Sequence, residues 1–183
     1  MRVEQLQGEF SAEVEAWAYD LRPGLPPEGI PREEVYRRYH PEYLDYLRQT
    51  AARSGIEMRF PSVIANTGRA HQATEFAREY GLLAPFQRAV FRAYWEEGQN
   101  IGEVEVLCRL AEGCGLDAAA LRQALAEGRY RQRVEEQVQW ARQAGVNGVP
   151  TFIFNDKFAI EGAQEYEIFR DVAQRILAGR LRD

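Results

Sequence analysis

Few side chains in this sequence are suited to chemistry. Cys108 and Cys114, in VLCRLAEGCGLD, are its two cysteines. The five residues between them fit neither a C-x-x-C redox pair nor a zinc-ligand spacing. On one regular helix, six steps of 1.5 Å rise would set their Cα atoms about 9 Å apart, beyond disulfide reach. Gly113 and Gly115 could break the helix and shorten that distance. Two ordinary buried or half-buried thiols in a reducing compartment are expected. The two histidines, His40 and His71, are far apart and lack a Glu-x-x-His pattern, so no metal site is expected. His40, directly before Pro41, reads as structural or exposed. Without a Gly-rich phosphate loop or a Gly-x-Ser-x-Gly elbow, nucleotide and hydrolase chemistry have no carrier.

The stretch AGVNGVPTFIFNDKFAIEGAQ, residues 144–164, is more informative. Val149-Pro150 stands directly before an apolar run, where a proline cannot donate to a ladder. A turn proline at the start of an edge strand would account for it on general grounds. The runs TFIF and KFAI flank Asn155-Asp156, residue types that tolerate the positive φ of a two-residue hairpin turn.

The elements around these residues follow from hydrophobic period. Residues 1–8 read as the tail of a helix ending near Gly8, and residues 9–21 alternate in part like a strand. RPGLPPEGIP, with four prolines and two glycines, reads as an extended connection. From residue 32 to 144 helix follows helix. One begins at Pro41 and stops at Gly55. RAHQATEFAREYG places Ala70, Ala73, Phe76 and Ala77 on one face. LAPFQRAVFRAYWEEG places Phe86, Val90, Phe91 and Tyr94 at helical spacing, and the series Phe86, Phe91, Tyr94 and Trp95 reads as core. EYEIFRDVAQRILAG closes the chain as an amphipathic helix. The chain is thus a strand, a helical block, then a hairpin and a helix.

Composition supports a globular protein: 183 residues, 45% hydrophobic and 28% charged. The net charge of -5 excludes a general nucleic-acid binder, which needs a basic face. MRVEQLQGEF holds neither the apolar core of a signal peptide nor a membrane span, so a cytoplasmic location and no membrane association are expected.

YDLRPGLPPEG (19–29), ANTGRAHQATEFA (65–77), FRAYWEEGQNIGEVEVL (91–107), GVNGVPTFIFNDKFAIEGAQ (145–164) and the closing helix resemble, in order, the DsbA-like thioredoxin superfamily. Within it they are most similar to the FrnE-like branch of disulfide oxidoreductases, with 2-hydroxychromene-2-carboxylate isomerases as more distant cousins. The resemblance implies an α/β, thioredoxin-like fold with a large all-helical insertion. The thioredoxin-like domain would comprise residues 1–31 and 145–183, and the inserted helical domain residues 32–144. It also implies a cis Val149-Pro150 bond, a geometry that costs only about 0.5–1 kcal/mol over trans before proline. Val149 would then offer its N–H and C=O to an extended peptide or a glutathione backbone, with Pro150 beside the redox centre. Gly145 and Gly148 would allow the turn. Asn66 and Thr67 would border the substrate groove, with Arg69 and His71 near; capping of the helix that begins around Arg69 is an equally good role for Asn66 or Thr67.

The family's first strand and its C-x-x-C should precede RVEQLQGEF. Neither is in this chain, and neither Cys108 nor Cys114 occupies the missing positions. In the family that strand is central, between residues 9–21 and 151–154. Without it those two must pair directly, stay open, or accept a strand from another molecule. Either Met1 lies inside a longer reading frame, or the chain is a divergent member that forms a homodimer over its open sheet edge. The resemblance implies thiol-disulfide exchange on a protein or peptide, with no catalytic residue in this chain and no cofactor beyond glutathione as a ligand. The alternative is a non-redox binding protein, or a glutathione-dependent isomerase or transferase.

Overall fold

A computed structural model describes residues 2–37, 41–53 and 55–180. His40 lies outside the described residues. In chain order the elements are α1 (Arg2–Phe10), β1 (Ile30–Pro31), α2 (Arg32–Tyr36), α3 (Pro41–Arg53), β2 (Val63–Ile64), α4 (Gly68–Glu79), α5 (Leu83–Trp95), α6 (Val104–Gly113), α7 (Ala118–Glu127), α8 (Arg131–Gln143), β3 (Thr151–Phe154), β4 (Phe158–Glu161) and α9 (Tyr166–Leu177). Among the described residues no helix is long and apolar enough to cross a membrane.

The chain divides into two units. One comprises residues 1–21 and 137–183, the other residues 22–136. The cuts therefore fall at 21/22 and 136/137, not at the expected 31/32 and 144/145. Residues 30–31 pair with the helical unit as β1 against β2, and the C-terminal half of α8 holds residues 17 and 18.

In the helical unit, α4 to α7 enclose one apolar cluster that includes Ala73, Phe76, Phe86, Leu107 and Leu121. Local chemistry sets the helix ends. The Asp117 carboxylate accepts from the backbone N–H groups of Ala119 and Ala120 at the start of α7, and Gly128, at φ 63°, closes it in the left-handed region. Ala70, Ala73, Phe76 and Ala77 of α4 are all buried, as their spacing predicts. On α5, Phe86, Val90 and Ala93 face inward, whereas Phe91 is 57% exposed. Phe91 directly follows Val90 and so lies about 100° farther round the helix, off the inward stripe. It is not core. The carboxylate of Glu75, 2% exposed, is held by Arg78 at 3.0 Å on its own helix and by Arg133 of α8 at 2.8 Å. A carboxylate this deep persists only when paired.

In the other unit, Leu6 of α1 and Tyr166, Phe169 and Ala173 of α9 pack with Ile160 of β4, and Phe10, Phe152 and Phe154 lie against them. Phe152 meets Phe169 edge to face, with ring centroids 4.8 Å apart. Arg2 donates to the Ala163 carbonyl at 3.0 Å, and the Tyr166 hydroxyl donates to Glu9, tying α1 to α9. The first helix therefore runs past Gly8 to Phe10 and ends where Ser11 turns to φ 51°.

Two strand expectations need correction. Residues 11–20 join no ladder: the Ala18 N–H is taken by the Gln137 side chain, and the Tyr19 hydroxyl donates to the Val146 carbonyl. The hairpin forms, but with a longer loop. Asn155 and Asp156 have φ of 48° and 61°, and the Lys157 N–H closes the turn on the Phe154 carbonyl. The ladder nevertheless pairs Phe154 with Phe158, leaving Lys157 in the loop and moving the second strand one residue on from KFAI.

Candidate functional site

The residues around Val149 are positioned by the end of α8. Gly145, at φ 80°, donates its N–H to the Arg142 carbonyl, and the Val146 N–H reaches back to Ala141, a left-handed helix stop. The Asn147 side-chain amide donates to the Gly145 carbonyl at 2.9 Å. The Thr151 hydroxyl donates to the Gly148 carbonyl at 2.8 Å, pinning the loop to the head of β3. The Val149-Pro150 peptide is cis. The Pro150 carbonyl accepts from the Gly162 N–H at 2.8 Å. Val149 is 49% exposed, and among the described residues its N–H and C=O have no hydrogen-bond partner. Both groups are therefore open to an incoming hydrogen-bond partner.

Gly148 is not required by the turn. Its φ lies outside the left-handed region, and a Cβ there would meet nothing within 4 Å. The turn uses Gly145 alone.

In the same unit Trp17 and Trp140 meet edge to face, with centroids 4.7 Å apart, and both remain substantially exposed. Sequence patterns did not single them out, although Gln137 and Trp140, three residues apart on α8, share a helix side.

In the helical unit, both ends of the Asn66 amide are engaged. Its nitrogen donates to the Leu25 carbonyl at 2.6 Å, and its oxygen accepts from the Gly68 N–H at 3.0 Å. Asn66 thus caps α4 from one residue before the usual position, and Thr67 makes no side-chain cap. Arg69 is directed at the Gly102 carbonyl, 3.2 Å away. Two glycines permit this close packing. A Cβ on Gly29, at φ 81°, would lie 2.5 Å from the Ile64 carbonyl, and one on Gly102 would lie 3.0 Å from the Asn66 carbonyl. Of this pair Thr67, half-buried, keeps its hydroxyl without a hydrogen-bond partner among the described residues. Gly148, Val149 and Pro150 therefore share one loop of the first unit, and Asn66 and Thr67 share one helix start of the second.

Cys108 and Cys114 are free thiols. Cys108 is buried on α6, its sulfur 3.6 Å from the Ala118 carbonyl, and burial pushes its pKa above the ordinary thiol value. Among the described residues no group of three or more His, Cys, Asp or Glu side chains could hold a metal ion.

Comparison with known proteins places this geometry. The model of the DSBA-like thioredoxin domain matches residues 1–174. YwbO, an uncharacterized protein of Bacillus subtilis, is 32% identical over 160 residues, covering 86% of this chain and 78% of that one. The crystal structure of a probable DsbA oxidoreductase from Streptomyces coelicolor superposes with a TM-score of 0.88 at 25% identity, covering 100% of this chain and 84% of that one. A 2-hydroxychromene-2-carboxylate isomerase superposes with a TM-score of 0.75 at 22% identity, covering 98% and 88%. This last likeness is one of fold alone.

Proposed function

The chain belongs to the DSBA-like thioredoxin domain family and has its α/β thioredoxin-like fold, and from that premise we propose that it serves thiol-disulfide exchange, supplying the substrate wall but not the cysteine pair. In that chemistry a thiolate attacks one sulfur of a substrate disulfide and expels the other as a thiolate. A second cysteine then attacks the mixed disulfide, releasing the reduced substrate and leaving the pair oxidised. The substrate must be held extended while this happens.

The observation that carries the reading is Val149, exposed and with both backbone groups unpaired among the described residues, directly before Pro150. A protein or peptide thiol, or glutathione, is the ligand it suits, and no other cofactor enters. Gly148 and Pro150 flank it, and Asn66 holds the helix start that presents Thr67. We place the protein in the cytoplasm, a reducing compartment that suits its two free thiols, Cys108 and Cys114.

The absence of a C-x-x-C among the 183 residues equally suits a non-redox descendant that binds glutathione or a peptide without turnover, including an isomerase-like one. Two measurements test the features these readings share, a ligand wall and no redox turnover. In dithiothreitol-driven insulin reduction this chain should add nothing to the uncatalysed rate. On titration with reduced glutathione or an extended thiol peptide, the amide signal of Val149 should move. Catalysed reduction by this chain would overturn its redox silence and assign thiol chemistry to Cys108 or Cys114, and ligand shifts that avoid residues 148–150 would overturn the wall. Saturable glutathione binding with chemistry on a non-disulfide substrate would favour the isomerase-like reading.

A further inference from the structure

The Gly148-Val149 peptide is trans, so its carbonyl and the Val149 N–H lie in one plane and point in opposite directions. Whatever holds the carbonyl therefore aims the amide. Here the Gly148 carbonyl accepts from the Thr151 hydroxyl at 2.8 Å, an ordinary length for a bond of this kind. The Val149 N–H is thereby turned away from the head of β3, and among the described residues no acceptor takes it up.

The backbone alone does not hold this peptide still. Rotating its plane changes ψ at residue 148 and φ at residue 149, and Gly148 has no Cβ to limit its share. A Cβ built there would meet nothing within 4 Å, so no neighbour limits it either. Upstream, the Asn147 side-chain amide is engaged on the Gly145 carbonyl; downstream, the Gly162 N–H is engaged on the Pro150 carbonyl. Among the described residues the Thr151 hydroxyl is what fastens the peptide between them. Its own position is firm. Thr151 opens β3 opposite Glu161, and its β-branched side chain is stiff about χ1.

We propose that Thr151 is a positioning residue for the ligand wall: through the Gly148 carbonyl, its hydroxyl aims the Val149 N–H at a carbonyl of an extended thiol ligand. This rests on the reading of Val149 as that wall, and adds which side chain gives the wall its direction. The donor is the essential part of Thr151, so a serine should serve and a valine should not.

Residual dipolar couplings of the weakly aligned full chain report the direction of the Val149 N–H before any ligand is present, and titration with reduced glutathione or an extended thiol peptide then reports binding. Thr151→Val keeps the branched shape and loses the donor. It should shift the Val149 coupling and weaken binding by about five-fold or more, the worth of one hydrogen bond. Thr151→Ser should keep the wild-type coupling and bind within about two-fold of the wild type, since the donor remains. Couplings of β4 and α9 that match the wild type exclude a general change of structure as the cause, and Thr151→Ala takes the place of Thr151→Val if that variant fails to fold. An unchanged Val149 coupling without the hydroxyl overturns the proposal. So does a changed coupling with undiminished affinity, which leaves the wall standing without Thr151. If neither ligand moves the Val149 amide of the wild type, the wall itself falls and the ligand role of Thr151 with it; that failure is distinct, because the coupling of the free protein still follows the hydroxyl.

Discussion

The side-chain oxygen of Gln137, on α8, accepts the backbone N–H of Ala18 at 2.8 Å. Both residues are buried, so the amide does for residues 11–20 what a neighbouring strand does elsewhere: it satisfies a main-chain donor away from water. Gln137→Leu keeps the volume and removes the acceptor, leaving the Ala18 N–H orphaned. The expected loss is about 1–3 kcal/mol. Denaturant unfolding followed by circular dichroism measures it, and an unchanged midpoint would show that water replaces the bond at no cost.

Gly29 and Gly148 both flank candidate site segments, yet they should respond oppositely to alanine. Gly29 has φ 81° and a carbonyl 2.5 Å from the missing Cβ, whereas Gly148 has open space and no left-handed backbone. Gly29→Ala should cost at least about 2 kcal/mol, from backbone strain together with displacement of Ile64. Gly148→Ala should stay within about 0.5 kcal/mol of the parent. Thermal melts of the two variants side by side test the contrast, and similar melting temperatures would refute it.

The two cysteines should also separate. Burial raises the pKa of Cys108 above that of a free thiol, so at a given pH a smaller fraction is thiolate, the form that attacks disulfide reagents. Cys114, half-buried at the end of α6, should react first with an aromatic disulfide reagent at neutral pH. Cys108 should follow only as the helical unit opens, with its labelling accelerated by urea. Equal rates for both thiols in the native protein would contradict this.

Helices were the most legible part of the sequence. The Ala70, Ala73, Phe76, Ala77 stripe and the Asp117 cap carry their instructions locally, within a few residues, and the structure follows them. The stretch at 9–21 misled because alternation states only that alternate residues face different ways. Whether a strand forms depends on a neighbour, and here the Ala18 N–H finds a side chain. The pairing of Ile30 with Ile64 was illegible for a related reason: a two-residue ladder is decided by the chain's return path. At the candidate site, the Val149-Pro150 dipeptide and the Gly145 turn could be read directly. The full commitment of Asn66 could not, because its partner Leu25 lies 41 residues away.

Asn66 has a further consequence. Its side chain is short and rigid, with one end on the Leu25 carbonyl and the other on the first N–H of α4. It works as a gauge of fixed length: a glutamine, one methylene longer, cannot serve both ends without moving one. The bend at Leu25 and the start of the helix beside Thr67 are thereby yoked. A ligand that nudged Thr67 would shift residue 25 as well, and that bend would be the place to look for its signal.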